Sequence, residues 1–119
     1  MKLRIRGNSL RLRLEQGEVE TFAAHGRIED RLALAVPLIY GLRVAEIDAI
    51  ELDRDGGGLI VRVPPAVAER WTGSDEVGFE AQVAAGEEQV KVLVEKDFRC
   101  LHQRPGEDES NQYPNPAED

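Results

Sequence analysis

Lys2-Leu3-Arg4-Ile5-Arg6-Gly7-Asn8-Ser9-Leu10-Arg11-Leu12-Arg13-Leu14 decides how the fold is read, because charged and apolar residues alternate on both sides of a Gly-Asn-Ser turn. A period of two places every second side chain on one face of a strand, so the stretch predicts two strands with an apolar and a basic face. Outward from it, Gln16 to His25 sets Val19, Phe22 and Ala23 on one helical face, and Gly26 stands where a left-handed C-terminal cap belongs. Two apolar runs follow, Ile28 to Val36 and Leu38 to Ala45, expected as strands meeting near Pro37, a residue suited to a strand end or edge.

The second half repeats this order. Asp48 to Asp53 alternates weakly, Asp55-Gly56-Gly57-Gly58 is a turn, and Leu59 to Val63 is a β-branched run ending at Pro64. Pro65 to Trp71 predicts a helix, started by prolines and closed at Gly73, with Val67 and Trp71 facing inward. Val77 to Ala84 and Gln89 to Lys96 are the last two strands. Leu12-Arg13-Leu14 before Val19 and Phe22 thus corresponds to Val61-Arg62-Val63 before Val67 and Trp71. The expected fold is α+β: one domain over 1–97 in pseudo-repeats 1–47 and 48–97, with about eight mostly antiparallel strands and two short helices. A barrel-like or strongly curved sheet would bury Leu3, Ile5, Leu12, Val61, Val63, Val92 and Val94.

From Phe98 the periodicity stops. Pro105, Pro114 and Pro116 and several acids give an irregular acidic tail over 98–119, but Phe98, Leu101 and Tyr113 are spaced as apolar anchors, which predicts docking to about residue 113.

A length of 119 residues with 41% hydrophobic and 32% charged residues suits a single globular core. The net charge of −8 opposes general attraction to nucleic acid or anionic lipid. One cysteine, Cys100, excludes an internal disulfide, and the alternating start does not resemble a signal peptide, so the expected location is the cytoplasm. No apolar run approaches the roughly 20 residues that a membrane-spanning helix requires.

Charge is unevenly placed. Arg11 and Arg13 share one strand face, and Lys2, Arg4 and Arg6 share a face of the neighbouring strand, a grouping suited to phosphate or carboxylate through charge-assisted hydrogen bonds. The ordinary alternatives are a solvated face or neutralisation by the chain's own acidic tail. Glu95 and Asp97 would share a face and supply oxygen ligands to a divalent cation. Cys100 and His102 face one way on an extended segment, yet two ligands do not make a zinc site. No cofactor is expected. The ligand expected at the basic strands is a partner protein or a small anion; the sequence does not specify the oligomeric state.

The motifs MKLRIRGNSLRLRL, VEKDFRCL, EDES and YPNP together resemble a family of small bacterial proteins of unknown function, which implies no activity. More locally, Arg4 to Phe22 resembles antitoxin and transition-state regulators of the MazE and AbrB type, in which a GNS turn joins two strands leading to a helix. That resemblance implies a swapped dimer binding DNA through basic strands, although Glu15 stands where those proteins place a proline. An eight-stranded body carrying Arg11, Arg13, Glu95 and Asp97 is also similar in architecture to enzymes that hold triphosphate with basic residues and metal-binding acids. The leading expectation remains a non-enzymatic cytoplasmic domain that binds through its basic strand pair, with the acidic tail as an intramolecular cover; a DNA-binding regulator and a metal-assisted phosphate-handling enzyme are the alternatives.

Overall fold

The structure, a computed structural model, describes residues 1–98, the side chain of Asp55 excepted. Its elements are β1 (Lys2–Arg6), β2 (Ser9–Leu14), α1 (Gln16–His25), β3 (Arg27–Leu32), β4 (Leu38–Val44), β5 (Glu51–Asp53), β6 (Leu59–Val63), α2 (Pro65–Thr72), β7 (Gly78–Ala85) and β8 (Glu88–Lys96). The order strand, strand, helix, strand, strand therefore occurs twice in an α+β fold.

The strands form two mixed four-stranded sheets, ordered β1-β2-β8-β7 and β3-β4-β6-β5. Each sheet takes one hairpin from each half of the chain. Interchanging the halves converts one order into the other. The hairpins are antiparallel, whereas the joint at the centre of each sheet is parallel: Leu12 lies opposite Val94 on β2 and β8, and Leu42 opposite Val61 on β4 and β6. Neither half can complete a sheet alone.

One cluster of buried residues runs through both sheets and under both helices. Alternation along β2 turns Leu10, Leu12 and Leu14 inward; Val61 and Val63 do the same on β6, and Val92 and Val94 on β8. Trp71 of α2 fills the centre, its ring 6.2 Å from Phe22 and 5.3 Å, edge-on, from Phe79, while its indole N–H donates to the Val77 carbonyl at 3.1 Å. The helix correspondence needs one correction. The residues buried at equivalent places are Val19 with Ala68 and Phe22 with Trp71; Val67 is only partly buried at the core margin. Val67 and Ala68, four and three residues before Trp71, both lie on its side of the helix, but the three-residue spacing of the buried pair Val19 and Phe22 recurs only in Ala68 and Trp71.

Three further expectations are corrected. The eight strands form no closed barrel among the described residues: β1, β7, β3 and β5 remain sheet edges, and β5, with three residues, offers little backbone for further pairing. Ile5 is 58% exposed near the end of the edge strand β1, next to the Gly7 turn, and Leu3 is half-buried. The third strand stops at Leu32 rather than Val36; the Leu34 N–H turns back to the Leu32 carbonyl at 3.0 Å, and 33–37 becomes a loop. On the neighbouring strand Gly41 is required by contact, since a Cβ there would collide with the Ile28 carbonyl.

The N-terminus is fastened between the halves of the first unit. The Met1 ammonium donates to Glu18 Oε2 at 2.6 Å and lies 3.5 Å from Asp30, while the Glu15 N–H donates to Glu18 Oε1 at 2.9 Å, so one carboxylate joins the start of β1 to the first turn of α1. Burial disfavours the charged amine, but the hydrogen bond and charge of Glu18, then Asp30, outweigh it and raise its pKa. The Tyr40 hydroxyl donates to the Met1 carbonyl at 3.5 Å, and burial followed by the charges of Asp30 and Glu18 raises its pKa. No helix among the described residues is long and apolar enough to cross a membrane.

Candidate functional site

Because Leu10, Leu12 and Leu14 face the core, Arg11 and Arg13 must face outward, and the β1–β2 register sets Lys2 opposite Arg13 and Arg4 opposite Arg11. The register of the hairpin thus brings all five of its basic residues to the outer face of the first sheet. The parallel neighbour β8 adds Lys91 and Glu95 in register with Ser9 and Arg13. Like charges directly across an antiparallel pair repel, so a face of this kind needs counter-charges.

Two carboxylates from the end of β8 supply them. Arg11 donates to Glu95 Oε1 through both Nε and Nη2, each at 2.6 Å. Asp97, held by its N–H donating to the Leu14 carbonyl at 2.8 Å, pairs with Lys2 at 3.0 Å and with Arg13 at 3.4 Å. Glu95 and Asp97 therefore share a face with the arginines, but it is the half-exposed outer face, and their oxygens are engaged by guanidinium and ammonium groups rather than held ready for a metal. Cys100 and His102 lie outside the described residues, as does the acidic tail expected to cover this face. Among the described residues no group of three or more His, Cys, Asp or Glu side chains could hold a metal ion.

Arg4 and Arg6 differ from their neighbours. Both are exposed on β1, and neither has a carboxylate within salt-bridge distance among the described residues, while Lys91 reaches Glu80 at 3.5 Å between two exposed side chains. The result is a strip in which one end is neutralised and the other keeps its positive charge. Such a strip can accept carboxylate or phosphate oxygens.

The second sheet carries an arginine row beyond those expected from the sequence. Arg27, Arg43 and Arg62 stand in register across β3, β4 and β6, next to Glu51 on β5. Glu29 accepts from Arg27 at 2.8 Å and Arg43 at 3.0 Å, and Glu51 from Arg62 at 2.9 Å. The signal was present in the sequence: Leu42-Arg43-Val44 and Val61-Arg62-Val63 have the phase of Leu12-Arg13-Leu14. Here the acids nearly balance the bases, so the row reads as a structural network. The Arg27 hydrogen bond, opposed by partial burial and reinforced by Arg43, holds the Glu29 carboxyl below the ordinary range. Its contribution is complete above the unfolded carboxyl's pKa of about 4.3 and disappears as pH falls through the lowered folded value. Glu29→Gln should therefore lower the melting temperature at pH 7 by a few degrees and show a smaller loss than the parent between pH 5 and 3; parallel melting curves across that range would contradict the pairing.

The model of a family of unknown function (DUF7009) matches residues 1–117. No curated protein and no solved structure matches.

Proposed function

The chain belongs to that family of unknown function, and on this premise we propose that it is a non-enzymatic cytoplasmic binding domain, internally duplicated, that holds an anionic group of a partner or small ligand at Arg4 and Arg6. The observation that carries the reading is the division of labour on the β1–β2 hairpin: Lys2, Arg11 and Arg13 are paired with Glu95 and Asp97, whereas Arg4 and Arg6 have no carboxylate among the described residues. A local positive strip on a chain of net charge −8 is selective, because the rest of the surface repels anions that do not fit it.

The test uses tripolyphosphate and a polyglutamate peptide as probes, each titrated at low and high salt. Arg4→Gln with Arg6→Gln should weaken binding roughly ten- to a hundred-fold, the loss of one or two charge-assisted hydrogen bonds, and leave the melting temperature unchanged. Arg11→Gln with Arg13→Gln should do the reverse, lowering the melting temperature by a few degrees, less so in high salt since the pairs are partly exposed. Equal binding by parent and Arg4/Arg6 variant would remove the proposal.

A second reading, a DNA-binding regulator, is favoured by one observation. Each sheet joins hairpins from both halves, a single-chain counterpart of the swapped dimer implied by the MazE and AbrB resemblance. Tight, salt-dependent binding of duplex DNA that requires Arg4 and Arg6, with neither probe bound, would select it. The metal-assisted enzyme loses its motive, because Glu95 and Asp97 sit outside the core and are already ion-paired.

A further inference from the structure

The β3–β4 connection is the most apolar exposed feature of the described residues. Leu32-Ala33-Leu34-Ala35-Val36-Pro37-Leu38-Ile39 holds no charge, and Leu34 is 55% and Val36 74% exposed, with Leu32 and Ile39 also exposed. Apolar side chains gathered in this way on a tip mark a surface that something covers.

The described chain ends on the same side of the molecule. Asp97 is bridged to Lys2; its neighbour Met1 pairs through its ammonium with Asp30 of β3 and through its carbonyl with Tyr40 of β4; Leu32 and Leu38, which close the hairpin, are two residues beyond these contacts. Phe98, the next residue after Asp97, is 61% exposed. At about 3.3 Å per extended residue, the stretch from Phe98 to Tyr113 spans up to about 50 Å, well beyond this short path. Charge agrees with the placement. Arg31 beside the tip is exposed, its guanidinium within salt-bridge distance of no carboxylate among the described residues, and Glu107, Asp108 and Glu109 lie between Leu101 and Tyr113.

We propose that the apolar β3–β4 tip is the docking surface for this chain's own segment 98–113, with Phe98, Leu101 and Tyr113 covering Leu32, Leu34 and Val36. Cys100 lies inside that segment and provides the probe. In the full-length chain, Leu34→Cys should form a disulfide with Cys100 under mild oxidation, within the monomer and at a rate independent of protein concentration. Making the tip polar with Leu32→Ser and Val36→Ser, both exposed and so tolerated by the fold, should slow that closure at least about five-fold, as the segment's effective concentration at the tip falls. Closure as fast with a polar tip as with an apolar one would show a free tail and overturn the proposal. Disulfide-linked dimers forming in preference would overturn it too, giving the tip to a second copy.

Discussion

Trp71→Ala is expected to cost about 3–5 kcal/mol, which takes away a large part of the 5–15 kcal/mol that a domain of this size normally has. Trp71 is fully buried at the meeting point of both sheets and both helices, in contact with Phe22 and Phe79. Its removal leaves a void that no single neighbour can fill, and it strips the Val77 carbonyl of its indole donor. Trp71→Phe keeps most of the volume and loses the donor, so its cost should be smaller, about 1–2 kcal/mol. Val67→Ala, at the margin of the core, should cost least of the three. Urea midpoints followed by circular dichroism give the ranking, and a Trp71→Ala protein within about 1 kcal/mol of the parent would mean that the core is not centred where the structure places it.

Dividing the chain between Ile47 and Asp48 should abolish folding of either piece alone and restore it on mixing. Fragment 1–47 holds β1 to β4, but its two hairpins belong to different sheets, and each finds its central neighbour, β8 or β6, in the other fragment. A lone two-stranded hairpin is at best marginally stable in water. Equimolar fragments should regain the β-sheet spectrum and the buried emission of Trp71, at a midpoint that shifts with concentration. A fragment 1–47 that folds alone and ignores its partner would show that the parallel joints contribute little.

Faces were legible in this sequence and neighbours were not. Alternation in Leu10-Arg11-Leu12-Arg13-Leu14 states which side chains are buried, and the structure buries those leucines. It carries no information on which strand lies beside β2, because the partner, Lys91 to Lys96, is far along the chain and its Val92 and Val94 are no more apolar than the inward residues of the other strands. The candidate site followed the same division. Spacing groups the cations of each strand on one face, but that the two faces coincide depends on the hairpin register, and the neutralising of three of the five by Glu95 and Asp97 depends on the β2–β8 pairing; neither could be read. The apolar run to Val36 looked like strand because composition does not show where backbone hydrogen bonding ends. Val67 and Ala68 both lie on the side of the helix that carries Trp71, so spacing does not say which of them is the more deeply buried.

The β2–β8 joint also has a consequence in time. Chains emerge from the ribosome at roughly 5–20 residues per second, so β2 waits on the order of 4–16 s for its neighbour to be made. The second sheet can assemble once Val63 has emerged, but Leu10, Leu12 and Leu14 have no β8 to complete their layer until Lys96 is out. Closing so long a loop also makes the step intrinsically slow. Protease digestion of nascent chains halted before and after residue 96 should reveal resistance in β1 and β2 only in the longer set. Until then an apolar strand flanked by cations is open to the crowded surroundings of the ribosome, which makes β8, the last strand of the described residues, the one that ends the exposure of β2 to chaperones and to aggregation.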